Sequence, residues 1–163
     1  MAAVLITGAD EDAEVARRLV HAGHTVRFAP LDGASAESLD SLDVLVNTGG
    51  AGEETFEAAV ESTARVLQTY LPLLERSASA VVVNVSGPLD SPSAAAVNLV
   101  TVQYAKTFPR MRINAVEQDA AAIVRMAQIG QDGPTGAYFD ATGTALVIRT
   151  STAAPPRPPT SRS

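Results

Sequence analysis

Apolar and polar positions along the chain fall into two kinds of segment that alternate with each other. Short, mostly apolar runs recur at Ala3–Ile6, His24–Ala29, Val44–Val46, Ala80–Val85, Arg112–Val116 and Ala137–Asp140. Runs of this length predict strands, and the apolar Ala3–Ile6 suits a central parallel strand buried on both faces. Between them apolar residues return at helical spacing. Val15, Ala16, Leu19 and Val20 form the stripe of a first helix, which Gly23 stops. Asp32–Asp43 predicts a turn and one short helix. Longer helices are predicted from about Glu54 to Leu74, from Ser93 to about Thr107, and from Asp119 to Gln128. The helix at Ser93 is apolar nearly all round, through Ala94, Ala96, Val97, Leu99, Val100 and Val102. Such a helix predicts burial on two sides, by the sheet and by a second body. Parallel strands need crossovers of this kind, so the fold class is α/β with a mostly parallel sheet.

Composition narrows the function classes. The chain has 163 residues and a net charge of −6, which argues against nucleic acid and anionic membrane as partners. It has no cysteine, which excludes disulfides, thiolate nucleophiles and cysteine-based metal sites. His21 and His24 fall where a helix ends and a strand begins, where they read as structural, and no metal site is predicted. No apolar run reaches the roughly 18 residues of a membrane span. The first residues lack a basic signal-peptide region, and the expected location is cytoplasmic. Residues from 150 onward are rich in Pro, Ser and Arg and predict a disordered tail (150–163) after one domain (1–149).

The first strand runs into Thr7-Gly8-Ala9-Asp10-Glu11-Asp12-Ala13. A strand, a tight turn and an amphipathic helix form the opening unit of a dinucleotide-binding fold, which delivers a pyrophosphate to a helix N-terminus. Here the turn holds one glycine and three acids. Asp10 reads as an N-cap, with Glu11, Asp12 and Glu14 in the first turn. Each carboxylate near a pyrophosphate would cost about 1 kcal/mol in water and about 4 kcal/mol at intermediate screening. Several such terms would cancel most of a helix dipole's attraction for an anion, about 0.3–2 kcal/mol.

Four stretches in order resemble the short-chain dehydrogenase/reductases, Rossmann-fold NAD(P)-dependent oxidoreductases. They are Val4–Gly8, Leu42–Gly50, Val81–Ser86 and Ala95–Lys106 continuing into Arg112–Val116. Gly133-Pro134-Thr135-Gly136 is similar to the C-terminal end of bacterial members. The resemblance implies a Rossmann-like three-layer fold shortened by one strand-helix unit and by the substrate loop. Fusing the second and third strands of such a fold leaves the order 2-1-3-4-5-6. The resemblance places vestigial cofactor contacts at Thr7, Gly8, Asp32, Asn47, Gly49 and Gly50.

The family's Asn-Ser-Tyr-Lys tetrad maps onto Ala59, Gly87, Asp90 and Ala94, so all four positions have lost their chemistry. Ser86 and Asp90 remain as the polar groups nearest the catalytic position. The only lysine, Lys106, has no tyrosine four residues before it. Glu117-Gln118 runs straight into helix where the family has a Pro-Gly turn and a lid. The resemblance therefore implies a degenerate member without hydride transfer, acting as a binding or interaction module. It predicts no bound cofactor, or NAD or NADP if one binds. The alternatives are an NAD(P)-dependent oxidoreductase with unconventional residues, and a cofactor-free small-molecule binder or isomerase with Asp90 as base. The helices at about 54–74 and 93–107 resemble the pair that forms family dimers, so a homodimer or hetero-oligomer is expected.

Overall fold

Alternating residues of the central strands face opposite layers, and that alternation builds the molecule. The computed structural model describes residues 1–8, 13–31 and 39–146. Its strands are β1 (Ala3–Thr7), β2 (Thr25–Ala29), β3 (Val44–Asn47), β4 (Val81–Ser86), β5 (Arg112–Glu117), β6 (Tyr138–Phe139) and β7 (Ala145–Leu146). They form one sheet in the order β2-β1-β3-β4-β5-β6-β7. Every ladder is parallel except the last, β6 with β7. Helices α1 (Ala13–His21), α2 (Phe56–Leu74), α3 (Pro92–Thr107) and α4 (Ala120–Ala127) make the crossovers.

Val4, Ile6, Val46, Val83 and Val116 pack on one face with α1 and α4 through Val15, Leu19, Ile123 and Met126. Leu5, Leu45, Val82 and Ile113 pack on the other face with α2 and α3 through Leu67, Tyr70, Leu74 and Val100. A period of two in the strands thus serves two separate cores. The helix ends follow local chemistry. Thr55 caps α2 by accepting from the Ala58 amide at 3.1 Å, so the helix starts later than the expected Glu54. Asp119 likewise caps α4 through the Ala122 amide. Gly23, at φ 97°, ends α1 by donating to Val20 O while His24 N–H donates to Leu19 O.

The structure departs from the sequence expectations at the last strand. The single last strand expected over Ala137–Asp140 is instead a two-strand hairpin. Asp140 Oδ1 accepts from the amides of Thr142 and Thr144 at 3.0 and 2.9 Å. Gly143 takes a positive φ of 87°, so the chain reverses and Ala145–Leu146 pairs back antiparallel. On helix α3, Leu99 stays 40% exposed on the outer face among the described residues, the side on which the expected second body would lie. The acidic turn (Asp10, Glu11, Asp12), Asp32, most of the expected short helix after it and the tail at 150–163 lie outside the described residues.

Candidate functional site

In open α/β sheets ligands bind beyond the carboxyl ends of the strands, where the strand order reverses. Here that point lies between β1 and β3, and polar side chains tie the two strand ends together. Thr7 Oγ1 donates to Val46 O at 3.3 Å and accepts from the Thr48 amide at 3.1 Å. The Thr48 hydroxyl donates back to Thr7 O. Gly8 turns away at φ 109° and donates to Ala29 O. A Cβ at Gly8 would sit 2.6 Å from Thr48 Oγ1, so the threonine fills the space above the glycine. An apolar crevice of about 420 Å³ lies beside this tie, lined by Gly8, Phe28, Ala29, Pro30 and Leu31.

Asn47 is 1% exposed and fully engaged. Its amide donates to Thr63 O at 3.0 Å and to Asn84 Oδ1 at 3.1 Å, while its own Oδ1 accepts from Gly49 N–H. Asn84 in turn donates to Thr101 Oγ1 at 3.0 Å, and that hydroxyl donates to Val97 O. One buried polar chain therefore links β3, β4, α2 and α3. Gly49 and Gly50 serve the same contact. A Cβ at Gly49 would meet Ser62 O at 2.8 Å, and one at Gly50 would meet Thr63 Oγ1 and Val97. Thr63 Oγ1 itself has no hydrogen-bond partner among the described residues.

Of the four tetrad-equivalent positions, three are sealed. Ala59 is fully buried. A Cβ at Gly87 would lie 2.7 Å from Ser93 Oγ and 2.9 Å from Ala51 O, which leaves no room for a serine side chain. Ala94 packs with Val97, Ala115 and the ring of Tyr138. Asp90, the fourth, is exposed on the loop before α3. The structure does not bring it to Ser86, which is fully buried and donates to Gly87 O at 2.9 Å. Ser86 Oγ also hydrogen-bonds the Tyr138 hydroxyl, with either oxygen able to donate, a contact across 52 positions of sequence.

Tyr138 is the residue the sequence pattern did not single out. Burial pushes its phenol up from 10.0, the Ser86 hydrogen bond partly offsets this, and the nearby Glu117 carboxylate raises it further. A phenol held neutral in this way donates a hydrogen bond and is a poor proton acid at neutral pH. The elevation is therefore the opposite of what proton transfer at a reacting oxygen requires. Among the described residues no cluster of His, Asp and Glu could hold a metal ion.

Solved structures with the same backbone course are short-chain reductases. Salutaridine reductase from Papaver somniferum superposes with a TM-score of 0.70 at 16% identity, covering 85% of this chain and 99% of that chain. Menthone neomenthol reductase from Mentha piperita gives 0.69 at 20% identity, covering 86% and 98%. A short chain dehydrogenase from Shigella flexneri 2a complexed with NADP gives 0.68 at 18%, covering 86% and 97%. The fold is that of the short-chain dehydrogenases. No protein-family model matches the sequence, and no curated protein matches it in sequence. At these identities the likeness is one of backbone, and the side chains at the strand ends must carry any functional argument.

Proposed function

We propose that this chain is a degenerate relative of the short-chain dehydrogenase/reductases that has no hydride-transfer activity and works as an interaction module. The observation that carries this reading is the mutual hydrogen bonding of the described polar side chains at the ends of β1, β3 and β4, beside the open crevice at Gly8 and Phe28–Leu31. Thr7, Thr48, Asn47, Asn84, Ser86 and Tyr138 all direct their hydrogen-bonding groups at one another or at backbone. A hydride-transfer site needs donors and acceptors aimed into an open, shielded space where two reactants are held in line. The missing side chains at Ala59, Gly87 and Ala94, together with the acidic Asp10-Glu11-Asp12 turn, point the same way.

The interaction surface is the outer face of α2 and α3, and the partner is a second copy or a longer relative. Leu99 is exposed there, with Val60, Ala64 and Val102 half-buried around it. The Glu61–Arg65 pair and the Gln68–Tyr104 hydrogen bond supply a polar rim. An apolar centre within a polar rim is the usual anatomy of an interface. No helix among the described residues is long and apolar enough to cross a membrane.

Titration with NADH and NADPH, read by nicotinamide fluorescence, tests the loss of cofactor binding. No saturable binding below about 100 μM is expected, a free energy weaker than roughly 5–6 kcal/mol. Tighter binding would return the chain to the oxidoreductases. Sedimentation of the wild type and of Leu99→Arg tests the interface. A dimer that dissociates in the variant is expected; a wild type that stays monomeric and ignores longer relatives would remove the interaction reading.

A further inference from the structure

The opposite end of the sheet, at the amino ends of β4 and β5, is built differently. The C-termini of α2 and α3 and the segments after them enclose a groove of about 680 Å³. That volume is within the range of small-molecule sites, roughly 300–1,000 Å³. Its apolar wall is Phe108 and Pro109 over a floor of nearly buried Ala80 and Met111, and its basic lining residues are Arg76 and Arg110. Phe108 stacks on Tyr104 with ring centroids 6.2 Å apart, which stiffens that wall.

The cations at this end have no carboxylate partner among the described residues. Arg17, Arg18 and Arg65 each have a carboxylate partner elsewhere on the surface. Among the described residues Arg76, Lys106, Arg110 and Arg112 have none. Arg76 donates to Asp40 O, and Arg112 donates to Pro109 O and Gly133 O, all of them backbone carbonyls. Arg112 Nε is buried without a partner among those residues. Against these charges stand Glu75 in the groove lining and the two helix C-termini, each equivalent to about half a negative charge. The nearby Asp43 carboxylate is held by Ala3 N–H and the Ser77 hydroxyl. The chain's own tail is a poor occupant, since Arg157 and Arg162 make it basic.

We infer that this groove binds a small amphiphilic anion, an apolar chain or ring carrying one carboxylate or phosphate. The apolar body lies against Phe108 and Pro109 while the head group meets Arg76 and Arg110. This inference is independent of the closed strand ends, because it uses the other end of the sheet.

The protein has no tryptophan, so Ala78→Trp places a single fluorophore in the groove. The probe is 8-anilinonaphthalene-1-sulfonate, an aromatic body with an anionic head. Saturable energy transfer from the introduced indole is expected, with displacement by decanoate and decyl phosphate but at least tenfold weaker displacement by decanol. The acid that displaces at the lower concentration identifies the head group. The pair Arg76→Ala and Arg110→Ala, added to Ala78→Trp, should weaken the probe at least tenfold, whereas Arg17→Ala should leave it unchanged. Absence of energy transfer, transfer only when the indole is introduced by Phe28→Trp instead, or equal displacement by decanol would each overturn the assignment.

Discussion

The two ends of the sheet have opposite characters. At the carboxyl ends of the strands, where the fold ordinarily holds its ligand, buried polar groups meet one another and small residues fill the gaps. At the amino ends, where the fold ordinarily has little to do, a groove stays open and its arginines lack carboxylate partners among the described residues. The buried polar chain and the open groove thus lie at opposite ends of the sheet. A change at the closed end should cost folding energy, while a change at the open end should alter only what binds there.

The largest test of that contrast is Ala94→Lys, which returns the family's lysine to its position. Ala94 is 2% exposed and packs on the Tyr138 ring, so the ammonium would be buried without a partner. A loss of about 3–5 kcal/mol in urea unfolding is expected, with no gain of NADPH oxidation. A variant that folds normally and turns over cofactor would show that the site is open after all. Next, Asn84→Ala removes the middle of the polar chain and strands Asn47 and Thr101. About 3 kcal/mol should be lost; a loss below about 1 kcal/mol would mean the chain is not a connected network.

Tyr138→Phe should cost about 1 kcal/mol at neutral pH through the lost hydrogen bond to Ser86. Its pH dependence is the sharper reading. The folded phenol ionises above the ordinary value of 10.0, so its contribution is complete below that pH. The contribution is lost as pH rises from there through the raised folded value, because the unfolded chain releases the proton first. Wild-type stability should therefore fall more steeply than that of Tyr138→Phe above about pH 10, followed by circular dichroism. Parallel curves would remove Tyr138 from the alkaline transition. The smallest effect is at the open end: Arg110→Ala should shift stability by no more than about 0.5 kcal/mol. A larger loss would make Arg110 a structural residue.

The sheet was legible because each central strand announces itself with a β-branched run, and the strand order 2-1-3-4-5-6 stands with one strand added. The added hairpin escaped because two-residue strands carry no periodicity. Its trace is Asp140-Ala141-Thr142-Gly143 between two apolar pairs, which is turn chemistry. Ser86 could be singled out at a strand end, but its partner Tyr138 could not. Their meeting depends on β6 lying in register with β5, so that Tyr138 stands beside Ala115. Asn84 did leave a signal: a single amide inside Val81–Val85 requires a buried partner. The partners it finds are Asn47 on β3 and Thr101 on α3, and Gly50 leaves room for Val97 of that helix.

Strand β1 has a consequence for synthesis. It is made before the other strands, yet it is an interior strand, paired with β2 on one side and β3 on the other. The Ala3 amide closes on the Asp43 carboxylate across a separation of 40 residues. At roughly 5–20 residues per second, the ribosome takes about 2–8 s to deliver that second neighbour. Throughout that interval Val4, Leu5 and Ile6 present an unpaired apolar edge to water or to whatever meets the nascent chain. Slowing translation between codons 30 and 43 should therefore raise the fraction captured by a holdase chaperone before the sheet can close.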